Sequence, residues 1–126
     1  MTDTAPDYTK LADRYIAMWN ETDPARRRGL IAETWTETAT YRDPMLTGDG
    51  PDGIDTMVAA VQAQYPKYRF HRTGAVDSHH QSLRFAWELR AEGEPPFVIG
   101  LDVGQVATDG RLQSITGFFD HVAQAA

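Results

Sequence analysis

Cysteine is absent from this chain. Disulfides and thiolate chemistry are thereby excluded, and a reducing cytoplasm is allowed. No apolar run approaches the roughly 20 residues that a membrane span needs. The first ten residues, MTDTAPDYTK, contain no basic segment followed by an apolar one, so no signal peptide is expected and the cytoplasm is the expected compartment. Positive charge is scarce too. Twelve Lys and Arg stand against 18 Asp and Glu, for a net charge of -6, which argues against a general nucleic-acid partner. What remains is an ordinary globular composition, 41% hydrophobic and 24% charged, over 126 residues. That length suits one domain, residues 1–126, with a single core and room for a pocket beside it.

Apolar spacing near 3.6 residues marks three helices in the first half. The first is expected from Ala5 to Trp19, with Thr4 as cap and Pro6 in its first turn. Its apolar stripe includes Leu11, Tyr15, Met18 and Trp19. Asp23 caps and Pro24 opens a second helix to Trp35, forming a hairpin with the first. A strand is expected over Thr38–Asp43. The loop PMLTGDGPDG follows, and then a third helix over Asp52–Tyr65, stopped by Pro66. Beyond Pro66 the period drops to two. Strands are expected over 68–77, 82–92, 97–107 and 111–121, the last two joined at Asp109-Gly110. The pattern predicts an α+β fold with helices on one face of a bent antiparallel sheet.

Three polar residues sit in unusual places. Asp43 ends its strand beside Pro44, Met45 and Leu46, as either a turn residue or a base aimed into a cavity. Asp102 lies in FVIGLDVGQVA, where Val98, Gly100, Gly104 and Val106 share its face. Either that face is wet, or Asp102 is buried and its neutral form favoured, and a glycine there marks a bend or a close approach. Tyr15 lies mid-stripe on the first helix. Its hydroxyl needs a partner, a backbone carbonyl in an ordinary core or a site group otherwise.

The element order, with ETATYRDP, RTGAVDSHH, RFAWEL and ITGFFD, resembles the SnoaL-like polyketide cyclases and the wider nuclear-transport-factor-2-like superfamily, over nearly the whole chain. The resemblance implies a cone-shaped barrel, a strongly curved, mixed but mostly antiparallel sheet wrapped around the three helices. Within that group the chain also resembles ketosteroid isomerase, through Arg14-Tyr15, Asp43-Pro44 and Asp102. By that resemblance Asp43 is the base, and Tyr15 and Asp102 donate hydrogen bonds to the substrate oxygen. The implied function is proton abstraction beside the carbonyl of a hydrophobic small molecule, by an isomerase or cyclase. A non-catalytic ligand-binding or interaction domain of the same fold is the alternative. No cofactor is expected, and a homodimer formed through the outer sheet face is. The expected pocket wall is Trp19, Trp35, Met45, Met57, Phe85, Trp87 and Phe119.

Other signals carry less. Asp120, late in the last strand, matches the acid/base position of SnoaL-type cyclases and rivals Asp43, but alternation puts Phe119 inside and Asp120 outside. His79-His80 point to opposite faces of an extended segment and cannot share a metal without a sharp turn. Arg26-Arg27-Arg28 reads as a solvated helix face, and GDGPDGID lacks the spacing of a calcium loop.

Overall fold

A computed structural model describes residues 7–123. The expected cap at Thr4 and the Pro6 turn lie outside those residues. Helix α1 runs Thr9–Asn20 and buries Leu11, Ala12, Tyr15, Met18 and Trp19 along the expected stripe. Asn20 ends it by reaching across to Phe70, where its side chain both donates to the backbone carbonyl (2.9 Å) and accepts from the amide (2.8 Å). Helix α2, Pro24–Thr34, starts as expected: Oδ2 of Asp23 accepts from the Arg26 amide at 2.9 Å, satisfying one of the free first-turn donors.

Strand β1 is Trp35–Arg42, three residues longer at its start than the expected Thr38–Asp43. The breaker-rich loop holds a short strand, β2, Thr47–Asp49, antiparallel to β1. Helix α3 spans Gly50–Gln64, beginning earlier than Asp52 because Gly50 takes φ +70° and Pro51 fits the first turn. The strand expected over 68–77 is two strands, β3 at Tyr68–Arg72 and β4 at Asp77–His79. Arg72 faces Trp87 and Asp77 faces Arg84, so five steps on one side match three on the other. The surplus bulges out and bends the edge of the sheet. Strands β5 (Ser82–Ala91), β6 (Val98–Val106) and β7 (Leu112–Val122) complete the meander.

The sheet order is β2-β1-β7-β6-β5-β3, with β4 also on β5. Strand β1 runs parallel to β7 and every other pairing is antiparallel. The curled sheet half encloses the three helices, a cone of α+β type. On β6 the residues Val98, Gly100, Asp102, Gly104 and Val106 are all buried, so the face carrying Asp102 is the concave, helix-facing one. The solvent-face reading of Asp102 is thus replaced by burial.

One expectation about the surface fails. Arg26 and Arg28 are exposed, but Arg27 is buried. Its guanidinium donates to Asp55 (2.7 Å), to Gln62 (3.1 Å) and to the Glu21 carbonyl (3.1 Å), tying α2 to α3 and to the α1–α2 turn. Successive helical residues are turned about 100° from each other, so neighbours in such a run can differ fully in exposure, as Arg27 does from Arg26 and Arg28.

Candidate active site

Period-two alternation puts Tyr41 and Asp43 on the same side of the β1 chain. The strand ends at Arg42, and Asp43 turns the chain: Oδ1 accepts from the amides of Met45 (2.8 Å) and Leu46 (2.7 Å), while its own amide donates to the Leu46 carbonyl (3.0 Å). Oδ2 is left to face inward, where the Tyr41 hydroxyl donates to it at 2.6 Å. The two readings of Asp43 are therefore divided between its oxygens, one serving the turn and the other the interior.

Strand β7 lies between β1 and β6, and Gly117 stands beside Asp102 in the ladder. A Cβ at Gly117 would lie 2.9 Å from Oδ1 of Asp102, 3.1 Å from Cβ of Asp43 and 3.4 Å from the Tyr41 hydroxyl. The missing side chain leaves room for Asp43, just after β1, and Asp102 to approach the same point over β7. Asp102 itself is 2% exposed. Tyr15 donates to its Oδ2 at 2.7 Å and the Trp87 indole donates to its Oδ1 at 3.0 Å. Trp87 reaches it by lying across Gly100, where a Cβ would come within 2.3 Å of the ring. The close approach that a glycine there suggested is made at Gly100 by an indole and at Gly104 by the Ile115 side chain.

Burial is the largest influence on Asp102 and pushes its pKa up to about 7 from 3.8. The hydrogen bonds from Tyr15 and Trp87 act in the opposite direction, and the charge of Asp43 adds to the rise. Burial also raises Tyr15 well above 10, followed by the charge of Asp102. Tyr41 is raised as well, by burial first and then by the charges of Asp102 and Asp43. Both phenols therefore keep their protons and can act as donors.

These groups line a cavity of about 220 Å³. Tyr15, Asp43 and Asp102, expected together, all reach it, and so do Trp19, Met45, Trp87 and Phe119. Met45 is 78% exposed and stands at its rim. Trp35, Met57 and Phe85 do not line it. Trp35 and Phe85 pack edge-on against the Tyr15 ring, each with centroids 5.7 Å apart, and so fix the phenol from behind. Met57 packs toward Gly48 of β2. Alternation could name the apolar faces of these elements, but not which part of a curled face fills the core. Asp120 is exposed, with Gly117 and Phe119 turned inward beside it. His79 and His80 bring their Nδ1 atoms to 3.1 Å on the exposed surface, because His80 takes φ 51° and supplies the turn that an extended reading lacks. Among the described residues no group of three or more His, Asp or Glu could hold a metal ion.

Sequence reasoning missed Tyr41, Gly117 and the polar use of Trp87. The signal for Tyr41 was present, two residues before Asp43 on one strand. Nothing in the sequence paired Gly117 with Asp102, since that contact depends on register.

The three helices and the curled mixed sheet form the cone-shaped α+β fold of nuclear-transport-factor-2-like proteins. Solved structures similar to this chain include SnoaL-like proteins. A protein of Agrobacterium tumefaciens, described only provisionally as an isomerase of the SnoaL-like family, is 37% identical, covering 90% of this chain and 97% of its own, with a TM-score of 0.86. This chain belongs to the SnoaL-like family. More distant structures share the fold. One is a provisionally named ketosteroid isomerase of Kribbella flavida, at 18% identity, covering 93% of this chain and 80% of that one, TM-score 0.65. Another is a provisionally named SnoaL-like polyketide cyclase of a Jannaschia species, at 17%, covering 95% and 92%, TM-score 0.69. No family model matches the sequence, and no curated protein does. Among the described residues no helix is long and apolar enough to cross a membrane.

Proposed function

We propose that this protein is an isomerase or cyclase that removes a proton beside the carbonyl of a hydrophobic small molecule. The observation that carries this reading is that Asp43 and Asp102 both flank Gly117 and line one cavity, each bonded to its own tyrosine. The two carboxylates have different surroundings. Asp43 is half-buried, Oδ2 facing the cavity, and Asp102 is fully buried with its neutral form favoured up to about pH 7. Such a split assigns opposite tasks to like groups. Asp43 takes the proton, and Tyr15, backed by neutral Asp102, donates to the oxygen on which negative charge develops. A 150 Å³ apolar cavity holds benzene, so about 220 Å³ suits a ligand of one or two rings. Incubating a two-ring β,γ-unsaturated ketone with the protein tests the reading. The conjugated isomer should accumulate with the wild type and not with Asp43→Asn. Equal rates in both would remove Asp43 from the mechanism.

One observation favours a non-catalytic binder. All three hydrogen bonds to Asp43 are made within its own strand and turn, which is also what a structural aspartate does. A binder retains ligand and returns it unchanged. The homodimer is proposed on the outer sheet face, where Phe118 is 51% exposed beside Leu101 on the neighbouring strand. Sedimentation of wild type and Phe118→Glu tests it: a dimer that becomes a monomer supports the pairing, and an unchanged state counts against it.

A further inference from the structure

An indole N–H can donate and cannot accept. The Trp87 ring is fixed on Gly100, and its N–H points at Oδ1 of Asp102. That oxygen must therefore remain an acceptor in every protonation state. A carbonyl oxygen accepts better than the hydroxyl oxygen of the same acid, and we propose that Trp87 is a positioning residue: by bonding Oδ1 it favours the proton of neutral Asp102 on Oδ2, the oxygen that faces Tyr15, and so sets the direction in which the Tyr15 hydroxyl donates.

The consequence follows from the hydrogen-bond inventory. When Asp102 is ionised, Tyr15 donates to Oδ2, and Tyr41 donates separately to Asp43. The row then points outward in two directions, toward its two carboxylates, and no hydroxyl is left for a ligand. When Asp102 is neutral, Oδ2 becomes the donor and Tyr15 accepts. The Tyr15 hydrogen must turn away from Asp102, toward the cavity that both phenols line. Asp102 then donates to Tyr15, whose own hydrogen is left for the cavity, while Tyr41 still donates to Asp43. A ligand oxygen at Tyr15 would meet a donor only in this second arrangement. Protonation of Asp102 thus switches the site between a closed and a donating state, and Trp87 ensures that the switch acts on Tyr15 rather than being spent on the other oxygen.

The groups that face Asp102 come from every element packed on it. They are Tyr15 from α1, Trp87 from β5, and Tyr41 and Asp43 from β1 and its turn, with Gly117 of β7 contributing no side chain. Burial opposes its charge and Asp43 repels it, while Tyr15 and Trp87 stabilise the ionised form. Removing the Trp87 donor should therefore move the switch to higher pH. The inference rests on the cavity being the ligand site, but its core can be tested with no ligand.

The test is a carbon-13 NMR titration of the Asp102 carboxyl in the ligand-free protein, followed together with the Trp87 indole N–H proton. In wild type both signals should move with one shared midpoint. In Trp87→Phe, which keeps a ring on Gly100, the carboxyl midpoint should rise by about half a pH unit or more. In Asp102→Asn, whose carbonyl must accept from Trp87 and whose amide must then donate to Tyr15, the Tyr15 ring signals should not change across about pH 5 to pH 9. An indole signal that ignores the Asp102 titration, or an unchanged midpoint in Trp87→Phe, overturns the proposal. Binding of 2-naphthol, read by its fluorescence across the same range, separates the two claims. Wild type should bind more weakly above the Asp102 midpoint, and Trp87→Phe should carry that fall to higher pH. Affinity lost equally at every pH in Trp87→Phe would show a packing role and overturn the proposal. A wild type with coupled titration and no naphthol binding would uphold Trp87 as the positioning residue and count against the proposed function.

Discussion

Tyr15 and Asp102 lie 87 positions apart in the chain and meet at 2.7 Å inside the cone. Neither side chain is more than 2% exposed, so their bond is made where water competes little. Asp102 keeps its proton in the folded protein up to about pH 7, against an ordinary value of 3.8. Between those values the folded chain binds more protons than the unfolded one, so stability falls as pH rises through the interval. The contribution is fully present below the ordinary value and is lost by about pH 8, a difference on the order of 4 kcal/mol. Asp102→Asn has no such loss. Urea unfolding at about pH 5 and pH 8 should show the mutant gaining on wild type at the higher pH. Parallel changes in the two proteins would mean that Asp102 is ionised throughout.

Gly117→Ala places a methyl group 2.9 Å from Asp102 and 3.1 Å from Asp43. The two carboxylates must separate to admit it. A destabilisation of about 1–3 kcal/mol is expected, measured by urea unfolding, along with loss of ligand binding. Gly100→Ala should cost more, because its Cβ would meet the Trp87 ring at 2.3 Å and the Phe118 carbonyl at 2.8 Å.

Tyr41→Phe removes the donor to Oδ2 of Asp43 and leaves the turn amides on Oδ1 in place. Hydrogen bonds to charged groups are worth about 1.5–3 kcal/mol, and Asp43 is half-buried, so water can replace part of the loss. A cost near the lower end is expected by urea unfolding. A neutral result would show that Tyr41 does not hold Asp43.

Arg27→Met takes from Asp55 its buried partner at 2.7 Å and leaves it only the exposed Arg28 at 3.6 Å, whereas Arg26→Met changes an exposed side chain. Breaking a buried pair from one side costs about 3–5 kcal/mol, and most surface changes stay within about 0.5 kcal/mol. The two substitutions, one residue apart, should therefore differ severalfold in a urea unfolding experiment.

The sequence made the elements and the three polar residues legible for local reasons. Helical and alternating spacing are properties of short windows, and Asp43 and Asp102 each stood out against apolar neighbours. The glycine beside Asp102 was readable as a close approach, but the partner was not, because the pairing of Trp87 with Gly100 is a matter of register between β5 and β6. Gly117 was hidden for the same reason. Trp35 and Phe85 looked like pocket wall because amphipathic spacing marks an inner face without marking its depth. The bulge after Arg72 and the inward turn of Arg27 also arise only when strands and helices are packed.

The central claim is that Asp43 takes a proton from the carbon beside a carbonyl. It is tested most directly by following deuterium uptake into 2-tetralone in heavy water by proton NMR, with wild type and Asp43→Asn. Asparagine keeps an acceptor oxygen for the Met45 and Leu46 amides, so the turn should survive the change. Wild type should exchange the protons beside the carbonyl faster than buffer, and Asp43→Asn should lose about 100-fold or more of that acceleration. Exchange at the buffer rate with wild type, or equal acceleration by the two proteins, would contradict the account.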